Sequence, residues 1–72
     1  MVRIIDLSGP EGNAYYLLLL VSNLGRQLNY STEKIQTIRE EMKSSDYDHL
    51  VSVFHKNFKG VVELYRNGEV VI

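Results

Sequence analysis

The stretch VVELYRNGEVVI, residues 61–72, leaves the chain little freedom. Asn67-Gly68 lies between two β-rich runs, and both residue types accept the positive φ that a two-residue type I′ turn demands. The turn sets the register: Arg66 opposite Glu69, Tyr65 opposite Val70, Leu64 opposite Val71. Alternation then gives Val62, Leu64 and Val71 one sheet face, and Val61, Tyr65, Val70 and Ile72 the other. A lone hairpin is marginal in water, so a further strand is required. The only other short β-branched run bounded by turn residues is VRIID, residues 2–6.

Three helices are predicted between these strands. Leu17, Leu20, Val21, Leu24 and Leu28 recur at the spacing of a core-facing stripe, which predicts a first helix running to about Leu28. Its start falls between residues 9 and 14. Ser8 with Glu11 has capping-box spacing and Pro10 suits a first helical turn, while Asn13 is a competing cap. Gly25 inside this helix marks close approach by another helix, or fraying. Ser31 or Thr32 caps a second helix, TEKIQTIREEMKS, with Ile35, Ile38 and Met42 as a narrow apolar stripe and a charged outer side. Ser45 with Asp48 opens a third, with Leu50, Val51, Phe54 and Phe58 buried and Gly60 as its stop. The resulting order is β-α-α-α-β-β. The expected fold is α+β: a three-stranded antiparallel sheet with three helices packed on one face, in one domain over residues 1–72.

Size sharpens what this fold can do. With 72 residues, the chain buries only about 60% of the surface it exposes when unfolded. It has no cysteine, so neither disulfides nor thiolate-bound metal can staple it. Self-association is the remaining staple. A net charge of −1 with both signs interspersed lacks the positive field of a nucleic-acid binder. The apolar run Ala14–Val21 is far shorter than the ~20 residues of a membrane span, and an acidic, turn-rich start precedes it. The expected setting is cytoplasmic.

The segment IDLSGPEGNAYYLL carries a resemblance. With Glu41, Met42, Ser44, Asp46 and Tyr47, and with Val53-Phe54, it resembles small uncharacterised proteins of phages and prophages, whose motif is I-D-L-x-G-P-x-G-N-A-aromatic. The likeness spans roughly residues 4–66 and is most specific from Ile5 to Tyr16. It implies a bacterial cytoplasm during infection, and work such as host takeover or blocking a defence system. It implies no activity.

Two places are candidate binding sites. The turn Ser8 to Asn13 follows a strand and opens a helix, where backbone N–H groups favour anions. Ser8, Gly9, Gly12 and Asn13 could cradle a phosphate, with Tyr15 or Tyr16 stacking on a base. The turn matches neither a P-loop nor a dinucleotide fingerprint, and Glu11 sets a carboxylate where the phosphate would lie, so capping is the preferred reading. The second candidate is apolar surface. Tyr15, Leu18 and Leu19 fall largely off the core stripe of the first helix, and Tyr65, Val70 and Ile72 lie on the second sheet face. Contiguous exposed apolar patches mark interfaces.

Other chemistry is weakly represented. His49 and His55 are six apart, not the four of a helical metal pair, and Asp46 and Asp48 lack the remainder of a calcium loop. No serine lies in a nucleophile elbow, and the adjacent Glu40 and Glu41 point to different sides of a helix. Lys56 and Lys59 with Phe58 and Tyr65 make too short a basic groove for single-stranded nucleic acid. The expectation is a non-catalytic protein-interaction module with no cofactor or metal. It would self-associate as a homodimer or higher oligomer and bind a host or viral protein. The alternative is a small-ligand or nucleotide-sequestering protein that uses Gly9 to Asn13.

Overall fold

A computed structural model describes residues 3–70. Strand β1 is Arg3–Asp6, α1 is Ala14–Gln27, α2 is Thr32–Met42, α3 is Tyr47–Phe58, β2 is Val62–Arg66 and β3 is Glu69–Val70, with a 3-10 turn at Pro10–Gly12 before α1. The hairpin forms as its turn residues dictate: Asn67 and Gly68 take φ of 54° and 82°. Tyr65 pairs with Val70 and Arg66 with Glu69. The expected pairing of Leu64 with Val71, and the place of Ile72, lie outside the described residues.

The three strands form one sheet in the order β1-β2-β3. It is mixed, not purely antiparallel, which corrects the expected pairing. β1 runs parallel to β2, with Arg3 opposite Val62, Ile5 opposite Leu64 and Asp6 opposite Tyr65. The cause is the odd number of helices between them. α1 carries the chain from the end of β1 back toward its start, where Leu24 and Leu28 share a groove with Arg3 and Val61. α2 reverses direction, so that Met42 returns to the level of Ala14 and Tyr15. α3 runs back again and delivers the chain to the starting end of the sheet. Parallel strands need a crossover of a dozen or more residues, and three helices supply it.

Local chemistry sets the boundaries. The Asn13 side chain accepts the Tyr15 N–H at 2.8 Å, so Asn13 caps α1, and the alternative cap at Ser8 is not used. The Ser31 hydroxyl caps α2 through the Lys34 N–H at 3.1 Å. Asp46 caps α3 through the His49 N–H at 2.9 Å, which displaces the expected Ser45. α1 ends at Asn29, in the left-handed region with φ of 62°. Asn29 N–H donates to the Arg26 carbonyl and Tyr30 N–H to the Gly25 carbonyl, the paired bonds of a Schellman motif. Asparagine is the non-glycine residue best suited to that conformation.

The core lies between the helices and one sheet face. Ile5, Val62 and Leu64 of the sheet join Leu17 and Val21 of α1, Met42 of α2, and Phe54 and Phe58 of α3, all almost fully buried. Phe54 and Phe58 meet at a centroid distance of 5.1 Å, and Tyr30 stacks on Phe58 at 6.1 Å. Two glycines admit neighbours that a side chain would exclude. A β-carbon at Gly25 would come within 2.6 Å of the Ile35 side chain, so α1 and α2 touch there, as one of the two readings of Gly25 had it. A β-carbon at Gly12 would lie 2.0 Å from the Leu7 carbonyl oxygen.

These two contacts predict different outcomes. Gly12→Ala meets main chain, which cannot yield, and should lose about 1–3 kcal/mol or more. Gly25→Ala meets the flexible end of Ile35 and gains up to ~1 kcal/mol of helix propensity, so its net change should be much smaller. Urea midpoints of the two variants measured side by side check the ordering.

Candidate functional site

The Ser8–Asn13 turn satisfies itself. Asp6 accepts the Ser8 N–H and hydroxyl through its carboxylate, and its carbonyl accepts the Gly9 N–H. Gly12 N–H donates to the Gly9 carbonyl and Asn13 N–H to the Pro10 carbonyl. The Gly12 carbonyl accepts from the Tyr47 hydroxyl of α3. The Ser8 hydroxyl also meets the Asn67 N–H of the hairpin turn at 3.4 Å. Tyr16 donates its hydroxyl to Glu11 at 3.0 Å and accepts from Arg3, while Arg3 pairs with Glu11 at 3.3 Å. Ser8, Gly9, Gly12, Asn13 and Tyr16 are thus brought together, but their polar groups hold β1, the turn, α1 and α3 to one another. Few main-chain donors remain there for an anion, and Glu11 adds negative charge.

The electrostatics of this corner have a measurable sign. The Ser8 hydroxyl and N–H favour the ionised Asp6, holding its carboxyl below its usual value. On the outer sheet face the Glu63 carboxylate, which accepts the Tyr65 hydroxyl at 3.0 Å, pushes the Tyr65 phenol up. Burial raises Tyr47.

The first helix divides differently from expectation. Leu18 is 8% exposed and belongs to the core, not to an outward patch. The reason is that α1 is covered from two sides. Leu17 and Val21 are fully buried in the core, and the α2/α3 side takes Leu18 against Met42 and Leu50. Tyr15 and Leu19 are left outside, 82% and 56% exposed, one helical turn apart. At the other end Leu28 is exposed and Leu24 only partly covered, so the expected core stripe opens there. Leu20, Leu24, Leu28 and Val61 wall a half-open groove of about 460 Å³, with Arg3, Asn23 and Gln27 at its mouth. Periodicity placed Leu24 and Leu28 on the buried stripe. It carried no sign that the sheet stops short of them.

The second sheet face carries no helix. The buried residues Ile5, Val62 and Leu64 all point to the helical side. On the other side Ile4 is 62% and Val70 57% exposed, and Tyr65 is half-buried. Val61, expected on this face, instead packs against the core beside Leu20, Leu24 and Leu28, because it precedes β2 and does not follow the strand alternation. Ile4 was not among the expected interface residues, because its strand partner was unknown. The parallel register, with Ile4 opposite Glu63, puts it on the same face as Tyr65 and Val70. Among the described residues no three potential metal ligands converge, and no helix is long and apolar enough to cross a membrane. Comparison with protein families, curated proteins and solved structures gave no match.

Two measurements check this geometry. Leu18→Ala should cost about 2–5 kcal/mol in chemical denaturation, as a core truncation does, whereas Leu19→Ala should stay within about 0.5 kcal/mol. The lowered Asp6 carboxyl contributes stability that is complete above its ordinary titration range and is lost as pH falls through its folded value. An acid-unfolding series should therefore show Asp6→Asn less stable than the natural protein near neutrality, with the gap narrowing as pH falls through that window.

Proposed function

We propose that this protein is a non-catalytic protein-interaction module that associates with itself through the helix-free face of its sheet. The observation that carries this reading is the contrast between the two faces: one is closed by the helical layer, while the other leaves Ile4 and Val70 mostly in water beside Tyr65. Covering one such side chain contributes roughly 1.5–3 kcal/mol before association costs are met. The face is small. Its longest strand has five residues, about 17 Å at ~3.3 Å per residue, and three strands are about 10 Å wide between outer axes. That is far below the ~800 Å² per partner of a standard interface, so this face supports weak, reversible association. Tyr15 and Leu19 on α1 are the second contact point, available to a different partner. The resemblance of residues 5–16 to phage and prophage proteins supplies the setting: a bacterial cytoplasm, where the module occupies a surface of a host or viral protein in host takeover or anti-defence.

Sedimentation velocity from about 10 µM to 1 mM tests the self-association. The natural protein should shift toward dimer across that range, in keeping with the small face. Ile4→Asp should abolish the shift, and Leu19→Asp should leave it intact. A natural protein that stays monomeric throughout, or an Ile4→Asp variant that dimerises equally well, would overturn the proposal.

A further inference from the structure

A second surface is independent of the sheet. Where α1 and α2 lie side by side, Ser22 and Arg26 of α1 face Thr32, Gln36 and Arg39 of α2 across a cleft of about 200 Å³. Neither arginine has a carboxylate partner among the described residues, although Arg3, Lys43, Lys56 and Arg66 all do. Arg39 donates from Nη1 to the buried Ser22 hydroxyl at 3.0 Å, a neutral acceptor. Its Nε is fully covered and has no acceptor among the described residues. An unsatisfied buried donor is costly, more so on a charged group, and native folds leave few of them. The nearby acids do not relieve it. Glu40 is engaged by Lys43 at 3.8 Å, and Glu33 makes no ion pair among the described residues. Lys34 adds positive charge at the Tyr30 end, its ammonium 3.9 Å from the ring centroid.

We infer that this cleft binds a small oxyanion between Arg26 and Arg39. A guanidinium presents five donors in a rigid plane, and a carboxylate or phosphate can take two of them in parallel. A modest turn of the Arg39 fork toward the cleft exchanges its orphaned Nε–H for such a two-point contact. Arg26 closes the site from α1, and the Thr32 hydroxyl and Gln36 amide supply neutral donors at the rim. The volume corresponds to about six or seven waters at ~30 Å³ each, enough for the anionic group and a few further atoms. It is too small for a whole nucleotide, so the recognised chemistry is the oxyanion. Phosphate and carboxylate share that chemistry.

The test is a titration of isotope-labelled protein followed through the arginine Nε–Hε resonances. Inorganic phosphate, acetate and chloride are added in separate series at matched ionic strength. A saturable shift of Arg39 Nε–Hε with phosphate or acetate, absent with chloride, is the expected result, and the responding arm identifies the preferred anion. Arg26→Gln, a change on an exposed position, should weaken that binding about tenfold through loss of one charge-assisted contact. Arg39→Lys keeps the charge but removes the fork, and should abolish the two-point contact. Non-saturating shifts of equal size in all three series, or unchanged affinity in a folded Arg26→Gln variant, would overturn the inference.

Discussion

The pairing of β1 with β2 is the contact on which the remaining architecture depends. It joins the first described residues to the last third of the chain, and a two-stranded hairpin would be marginal without it. It buries Ile5 beside Val62 and Leu64 and so creates the sheet half of the core. It also anchors the corner at Ser8–Asn13. The Leu7 N–H donates to the Tyr65 carbonyl at the end of the ladder, and the Leu7 carbonyl fills the space that a side chain at residue 12 would need. α1 then starts from Asn13 at a defined angle. One long-range ladder thus sets the position of the first helix.

In so small a domain the helices are economical with that surface. Three helices and one sheet face enclose Leu17, Leu18, Leu20 and Val21 within a single chain. The oily run in the first helix is therefore mainly a core element, and the surface it leaves uncovered is limited to Tyr15, Leu19 and the open end at Leu28. The larger imbalance is in the sheet, which is covered on one side only. Antiparallel sheets commonly keep one face wet, with polar residues there. Here that face mixes Asp6 and Glu63 with Ile4, Tyr65 and Val70, a composition suited to contacts that form and release.

The two arginines of the α1/α2 cleft illustrate a site that periodicity cannot expose. Arg26 and Arg39 are thirteen positions apart, on different helices, and each reads alone as an ordinary solvated charge. Only antiparallel packing of α1 on α2, close at Gly25 and Ile35, brings them to one cleft. The Ser8–Asn13 turn is the opposite case. Its spacing drew attention in the sequence, yet its donors and acceptors are occupied by neighbours that the sequence places far away, Tyr47 and Asn67 among them.

What the sequence determined by itself was local. Asn67-Gly68 set the hairpin and its register, the Ser31-Thr32 pair marked the start of α2, and the stripe of Ile35, Ile38 and Met42 chose the buried side of that helix, because each depends on the conformational preference of a few adjacent residues. Where two caps competed before α1, local preference was nearly balanced and the surroundings chose Asn13 over Ser8; at α3 the expected Ser45 gave way to Asp46. The parallel direction of β1, the burial of Leu18, the exposure of Ile4 and the meeting of Arg26 with Arg39 were settled only by tertiary structure. All four depend on which elements lie side by side, and that is a property of how three helices fold back across one sheet rather than of any short stretch of chain.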